Sequence, residues 1–528
     1  IFRIKGPCCP IPQPAMFAKA ALLLAFGLKP AAGDCPSWGK PFPSNLAGLD
    51  KISFANLYDV TYYDQYKVVE YSATLAQYDA MWHPEASLRG TRIPPMVLYQ
   101  CGTTKPTTDM PGVPSNARFF EIPVKNVTVG WGGPLAFMEL LKGVLQSIDL
   151  VDIRAISSPC MQLLEVCYPE THISTSLPDW SANPEWKTRA SRTDVVFTDA
   201  GGSGWGGDAT KDVPFMVSLD RGSLSRAEWI KFMALFYNEE AQADHIFEQI
   251  KADYNALKAI GDQLRTDAST EYNGAQPKVM FVNGGTSNRV VNAAYKTQFI
   301  TDAGAQVVPL PAVAPAGCSF TANTDGTKSM SCDIPAGDAA FTSFLAEADV
   351  IIDESSLWPD YDPTKYRGFG TIYNVTADQV PALARNPPNI FRLDGQVSDA
   401  FGDGNSQGMS WLDISQSEPQ QTLADLMEAI WDRDFTSTCG QKYMWRVSDL
   451  NAQNVVGHQD CPLYSAQGQN DCQSLHGRLH IPPMCSAGNV FEPMETTTTV
   501  ESQEASAACQ VGGALSLAAL ALAAVLAA

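Results

Sequence analysis

Four tryptophans stand in short segments suited to holding a flat, apolar ligand. Trp131 and Trp205 each occur in Gly-Trp-Gly-Gly, Trp358 in Leu-Trp-Pro and Trp411 in Ser-Trp-Leu-Asp. Glycine permits close backbone approach, and an indole supplies a broad rigid face with one donor. Gly132 and Gly206 follow the first two tryptophans, Tyr99 closes the apolar run Met96–Tyr99, and Asn283 ends another before Gly284 and Gly285. These eight residues are the candidate ligand-binding set, although each Trp could equally pin its loop to the core. Spacings for local catalytic chemistry are missing: the sequence holds no P-loop, His-Glu-x-x-His, nucleophile elbow or dinucleotide fingerprint. Gly201–Gly207 lacks the spacing of a phosphate cradle and reads as a binding loop or a turn. Asp403-x-Asn405-x-Gln407-Gly408 begins like a calcium loop, but Ile414 stands where the twelfth position needs a carboxylate. His476 and His480, near Cys472 and Cys485, have zinc-compatible spacing only on a helix, and disulfides with solvated histidines are the simpler expectation. Asp353 with Glu354, or Asp399 with Asp403, could serve as paired carboxylates, but acids in so acidic a chain usually solvate its surface. No catalytic residue, catalytic cofactor or metal site is assigned.

The elements that must position these segments alternate between strand and helix. Apolar runs at Tyr66–Tyr71, Met96–Cys101, Arg118–Val124, Val151–Ile156, Asp194–Thr198 and Pro214–Leu219 predict strands. Leu135, Met138, Leu141 and Val144 recur at three-residue spacing and predict a helix after Pro134. Ser225-Arg-Ala-Glu228 reads as a capping box. One apolar stripe then runs from Ala243 to Leu264, predicting a helix over 239–264, about 39 Å long. The pattern restarts with strands at Lys278–Val282, Gln306–Leu310, Asp349–Asp353 and near Ile390–Leu393, and helices at 338–347 and Leu423–Trp431. Ligands in open α/β sheets bind beyond the carboxyl ends of strands, which is where the Gly-Trp segments fall.

Composition narrows the function. The 528 residues carry 57 acidic and 36 basic side chains, a formal charge of −21, which argues against a nucleic-acid-binding protein. Met16-Phe-Ala-Lys-Ala and the apolar stretch to Leu28, closed by Ala31-Ala32-Gly33, match a secretory signal, with residues 1–15 as upstream sequence or an extended leader. Gly512–Ala528 is apolar to its end behind a Thr-rich segment, the pattern of a GPI-type signal or of a single membrane anchor. Without the leader, whose four charged residues are all basic, the formal charge is −25. Ten cysteines remain between leader and tail, an even number that suits disulfides in an oxidising compartment. Proximity alone favours Cys160 with Cys167 and Cys318 with Cys332. Asn126-Val-Thr and Asn374-Val-Thr are glycosylation acceptors for an exported chain. The expected divisions are a leader and signal at 1–33, an N-terminal α/β lobe at 34–224, connecting helices at 225–266 and a C-terminal α/β lobe at 267–435. A Cys-rich appendix at 436–490 and a stalk with hydrophobic anchor at 491–528 complete them.

The segment Arg226–Tyr254, with the strands at Lys278–Val282 and Ala384–Leu393, resembles the stretch entering the rigid connecting helix of helical-backbone (class III) periplasmic substrate-binding proteins of the cobalamin and ferric-siderophore type. The resemblance covers about residues 60–435. With a signal, an anchor and a Cys-rich tail, the chain is similar to the cobalamin acquisition proteins of eukaryotic algae. The resemblance implies two Rossmann-like lobes joined by a long helix, with cobalamin held between them against aromatic side chains as a transported ligand. It further implies a protein that is not an enzyme, sits at the cell surface, and hands its vitamin to an uptake receptor or transporter. A corrin presents an apolar ring with an amide rim, which Trp, Tyr, Asn and glycine backbone can match. Ferric-siderophore or haem capture stays open; its anionic ligands call for basic residues, which are sparse on these loops. Metal-ion binding needs several His and acidic ligands, and only His83, His172 and His245 fall in the two-lobe body. A cell-surface enzyme or an adhesion protein completes the alternatives.

Overall fold

The computed structural model describes residues 52–72, 93–141, 143–152, 156–167, 172–173, 184–198, 209–271, 276–285, 287–323, 325–355, 368–398, 408–432, 443–448 and 454–461. The leader, the C-terminal tail, Trp205, Gly206, Trp358, Asp399, Asp403, His476 and His480 lie outside these residues.

Strands β1 (Tyr58–Tyr62), β2 (Tyr66–Tyr71), β3 (Met96–Gln100) and β4 (Arg118–Ile122) form one sheet in that order. The first three are antiparallel, and β4 runs parallel to β3. Next come β5 (Val127–Val129), α1 (Gly132–Leu140), β6 (Ile148–Asp152), α2 (Pro159–Cys167), β7 (His172–Ile173), α3 (Pro184–Arg192), β8 (Val195–Thr198) and β9 (Asp212–Pro214). Their strands build a wholly parallel sheet of order β7-β6-β5-β8-β9. Parallel neighbours need helical crossovers, and a sheet covered on both faces must be apolar throughout. Val127, Val129, Val195, Val196 and Phe197 are accordingly all buried.

Three helices follow: α4 (Ser223–Ala227), α5 (Trp229–Leu235) and α6 (Glu240–Glu271). The 32 residues of α6 span about 48 Å. Ala243, Ile246, Phe247, Ile250, Tyr254, Leu257 and Leu264 are buried along one stripe, as the periodicity predicts. The helix passes the expected stop because Asp267–Glu271 contains neither Gly nor Pro. The expected capping box at Ser225 is not formed: α4 opens at Ser223, after Gly222. Glu228 instead accepts the backbone N–H groups of Ser53 (3.0 Å), Phe54 (2.7 Å) and Ala55 (2.8 Å) and pairs with Lys231 at 3.1 Å.

Beyond α6 come β10 (Lys278–Asn283), β11 (Ser287–Val290), α7 (Ala294–Asp302), β12 (Gln306–Val307), β13 (Cys318–Ala322), β14 (Lys328–Asp333) and α8 (Asp338–Leu345). They are followed by β15 (Val350–Asp353), α9 (Phe369–Tyr373), α10 (Pro381–Ala384), β16 (Ile390–Arg392), β17 (Gln396–Ser398), α11 (Ser410–Asp413), α12 (Pro419–Trp431), β18 (Trp445–Arg446) and β19 (Asn454–Val456). In the second large sheet β12, β10, β15 and β16 are parallel neighbours in that order. The antiparallel strands β11, β14 and β13 extend one side, β18 closes the other, and β17 pairs with β19 apart from it. The fold is therefore mixed α/β with two parallel-centred sheets and a long helix between them in the chain. One apolar core runs from Ala55 to Cys461 and includes both sheets and α6, while a second gathers Met280, Val282, Phe341, Ile351 and Tyr373. Among the described residues no helix is long and apolar enough to cross a membrane.

Several boundaries differ from expectation for local reasons. Leu141 and Val144 lie past the end of α1, because Leu141 is extended and Gly143 turns the chain at φ +76°. The strand expected at Val151–Ile156 begins earlier, at Ile148. The expected strand over Pro214–Leu219 keeps only Pro214, the rest turning into a single 3-10 turn at Val217–Leu219. Gln306–Leu310 keeps two strand residues before Pro309, which lacks a ladder donor.

Cys318 and Cys332 are bonded across β13 and β14, as expected. Cys160 is not bonded to Cys167. Both lie on α2, where seven residues of rise separate them by about 10 Å, beyond disulfide reach. Cys160 joins Cys461, with Cα atoms 4.8 Å apart; Cys101 and Cys167 each belong to a further disulfide.

Candidate functional site

Both parallel sheets reverse strand order once, and the candidate loops leave from those reversals. In the first sheet β5 has β6 on one side and β8 on the other. Val129 of β5 pairs with Phe197 of β8 in parallel register. Gly130-Trp131-Gly132 follows β5, and the segment carrying Trp205 follows β8. In the second sheet β10 has β12 on one side and β15 on the other. Asn283 ends β10, and the segment carrying Trp358 follows Asp353 at the end of β15. At a reversal the two adjacent crossovers pass to opposite faces and leave a crevice beyond the strand ends.

The Gly-Trp-Gly-Gly sequence around Trp131 has a steric logic. The indole folds back over Gly133, where a β-carbon would come 2.7 Å from Trp131 Cζ2. Trp131 is half-buried, and among the described residues its Nε1 has no hydrogen-bond partner. Gly132 admits a different neighbour: a β-carbon there would lie 2.8 Å from Asp413 Cγ. Asp413, at the end of α11, also accepts the Ser157 N–H at 2.9 Å, and burial pushes its carboxyl up to about 7. Trp131, Gly132 and α11 are thus brought together, although 278 residues separate Gly133 from Trp411.

Trp411 itself is core-packed rather than presented at a strand end. It is 5% exposed, stacked on Phe281 at 6.4 Å and met edge-on by Tyr443 at 6.3 Å. Its remaining edge borders a cavity of about 220 Å³ shared with Arg226, Tyr295, Phe299 and Ser415. Periodicity could not reveal that cavity, because its walls come from three distant stretches of chain.

At the second reversal the loops are braced by charge. Gly284 N–H donates to Ser355 Oγ at 2.8 Å, and the Asn283 amide reaches the Glu354 carbonyl at 3.4 Å. Asp353 and Glu354 are not poised as a pair of catalytic acids. Asp353 accepts Ser355 N–H and Tyr373 O–H, each at 2.9 Å, and lies 3.7 Å from Arg392. Burial raises its pKa against the pull of Arg392. Glu354 pairs with buried Lys296; burial opposes the lysine charge, but Glu354 and Tyr295 together outweigh it and raise the lysine above its ordinary value. Arg392 is also held by Asp394 at 2.9 Å.

Tyr99 belongs elsewhere. It lies on β3 in the four-stranded sheet, among Tyr66, Val68, Val97 and Val113, and burial followed by Glu121 raises its pKa. Of the glycosylation acceptors, Asn374 is exposed at the left-handed end of α9, and Asn126 is half-exposed ahead of β5. Among the described residues no group of three or more His, Cys, Asp and Glu side chains could hold a metal ion.

No protein-family model matches the chain, and no curated protein matches it. Solved structures similar to it include an ABC-transporter substrate-binding protein from Listeria monocytogenes EGD-e, at 14% identity, with 59% of this chain and 100% of that one covered and a TM-score of 0.35. A periplasmic heme-binding protein from Pseudomonas aeruginosa follows at 12% identity, 59% and 94% coverage and a TM-score of 0.35. FhuD2 from Staphylococcus aureus with bound ferrioxamine B gives 11% identity, 58% and 99% coverage and a TM-score of 0.33.

Proposed function

We propose that this chain is an extracellular capture protein that holds cobalamin in a cleft between its two α/β lobes, carried to the cell surface by its signal and retained there by its C-terminal anchor. One observation carries the reading: the segments bearing Trp131, Trp205, Asn283 and Trp358 all follow strands that flank the order reversal of a parallel sheet. Two such reversals offer two sets of loops to one large ligand. Indole faces suit the corrin ring, and Asn283 with the glycine backbone suits its amide rim. The Lys296–Glu354 and Arg392–Asp394 pairs brace the second set of loops without leaving an acid placed for catalysis. The protein transfers the vitamin to an uptake partner and performs no chemistry on it.

The test is calorimetric titration of the secreted full chain with cyanocobalamin, with a ferric siderophore in parallel. One-to-one binding of cyanocobalamin at nanomolar concentration is expected. Binding of the siderophore alone would assign the cleft to iron uptake, and folded protein that binds neither would overturn the capture reading.

A further inference from the structure

The cavity beside Trp411 has features the capture reading does not use. The Arg226 guanidinium on its wall is 9% exposed. It donates to the carbonyls of Asp220 (3.0 Å) and Ser218 (2.5 Å) and lies over the Tyr295 ring, 3.7 Å from the centroid. Among the described residues it forms no ion pair. The nearest carboxylates that act on it are engaged elsewhere: Asp220 accepts Asn56 N–H and Trp229 Nε1–H, both at 3.1 Å, and Asp325 accepts Ala294 N–H at 2.5 Å. A buried arginine normally has an anionic partner, since desolvating its charge is costly.

Ser223, 2% exposed, also lines the cavity, with its hydroxyl against that of Tyr254. The nearby Tyr254 hydroxyl is committed to Asp302 at 2.7 Å. Pro419, the first residue of α12, borders the same space. Phe299, Tyr295 and Trp411 supply the apolar remainder.

We propose that this cavity is a second ligand site, for a small single-ring carboxylate whose anion pairs with Arg226 while its ring packs against Phe299 and Trp411. Its 220 Å³ equals roughly seven water volumes, enough for one ring and a carboxylate and far too small for a corrin. The site is independent of the cobalamin cleft, and exposed Ser218 marks its mouth.

Benzoate is the probe, and benzamide, of the same shape without the charge, is its control. Titration of the full chain should show saturable one-site binding of benzoate and at least tenfold weaker binding of benzamide. Equal binding of the two, or no binding of benzoate, would overturn the proposal. Arg226→Gln should weaken benzoate at least tenfold. Should that variant not fold, Leu412→Trp, which fills the cavity from its half-buried wall, should weaken it likewise, and unchanged affinity in a folded variant would overturn the site. Cyanocobalamin titrated into the same samples reports on the cleft separately, so either assignment can fail without the other.

Discussion

The Asp413 carboxylate lies where Gly132 would carry a side chain: a β-carbon at 132 would come 2.8 Å from Asp413 Cγ. The same carboxylate accepts the Ser157 N–H. One side chain on α11, which follows β17 in the chain, therefore reaches the starts of both α1 and α2, at the loop that carries Trp131.

Gly132→Ala should expose this fit. Alanine favours a helix over glycine by up to about 1 kcal/mol, but overpacking against a pinned carboxylate costs about 1–3 kcal/mol, so the clash wins. Urea unfolding should show a net loss in the single variant. In an Asp413→Ala background the same change should become neutral or stabilising, and equal losses in both backgrounds would deny the contact.

Asp413 also sets a pH dependence. Its folded-state pKa, about 7, stands above the ordinary 3.8. Between those values the native state keeps a proton that the unfolded chain releases. The stability linked to it is complete below about pH 4 and is lost as pH rises through 7. The wild type should lose stability relative to Asp413→Asn between pH 4.5 and 8 in unfolding titrations. A gap that stays constant across that range would contradict the assignment.

The parallel sheets and the long helix were legible because their signals are local and periodic. Val195–Thr198 is an unbroken apolar run, and Ala243–Leu264 keeps one stripe through six turns. The site was legible only as far as glycine and tryptophan mark strand ends. Trp411 shows the limit: a tryptophan in a short polar-flanked segment looks exposed, yet packing against Phe281 and Tyr443 makes it a core residue. Glu228 was misread for the same reason, since its partners at Ser53–Ala55 lie over 170 residues away.

Lys296 and Glu354 form a buried pair, so Glu354→Gln should be strongly destabilising, by about 3–5 kcal/mol, because it strands the lysine charge. Replacing both together, as Lys296→Met with Glu354→Leu, should recover most of that loss in denaturant midpoint. Were Glu354 a catalytic acid instead, the Gln variant would keep its stability and lose a turnover that a substrate screen could detect.

The Cys160–Cys461 bond ties α2 to the chain beyond α12 across a separation of 301 residues. Replacing both cysteines with alanine should cost about 2–5 kcal/mol, mostly by freeing the unfolded chain. Mass spectrometry of the unreduced digest should recover peptides crosslinked through Cys160 and Cys461. A peptide closed on itself through Cys160 and Cys167 would contradict the helical geometry of α2.

Trp131 and Trp411 should separate binding from folding. Trp131 is half-buried on a loop at a strand end, so Trp131→Ala should weaken cyanocobalamin at least tenfold, about 1.4 kcal/mol, with a smaller effect on stability. Trp411 is stacked in the core, and Trp411→Ala should cost about 3–5 kcal/mol in unfolding free energy. At temperatures where that variant stays folded, its cyanocobalamin affinity should remain near the wild-type value. The opposite pattern, a stable Trp411 variant with lost vitamin binding, would move the corrin from the strand-end loops to the cavity beside α11, a space too small to enclose it without opening.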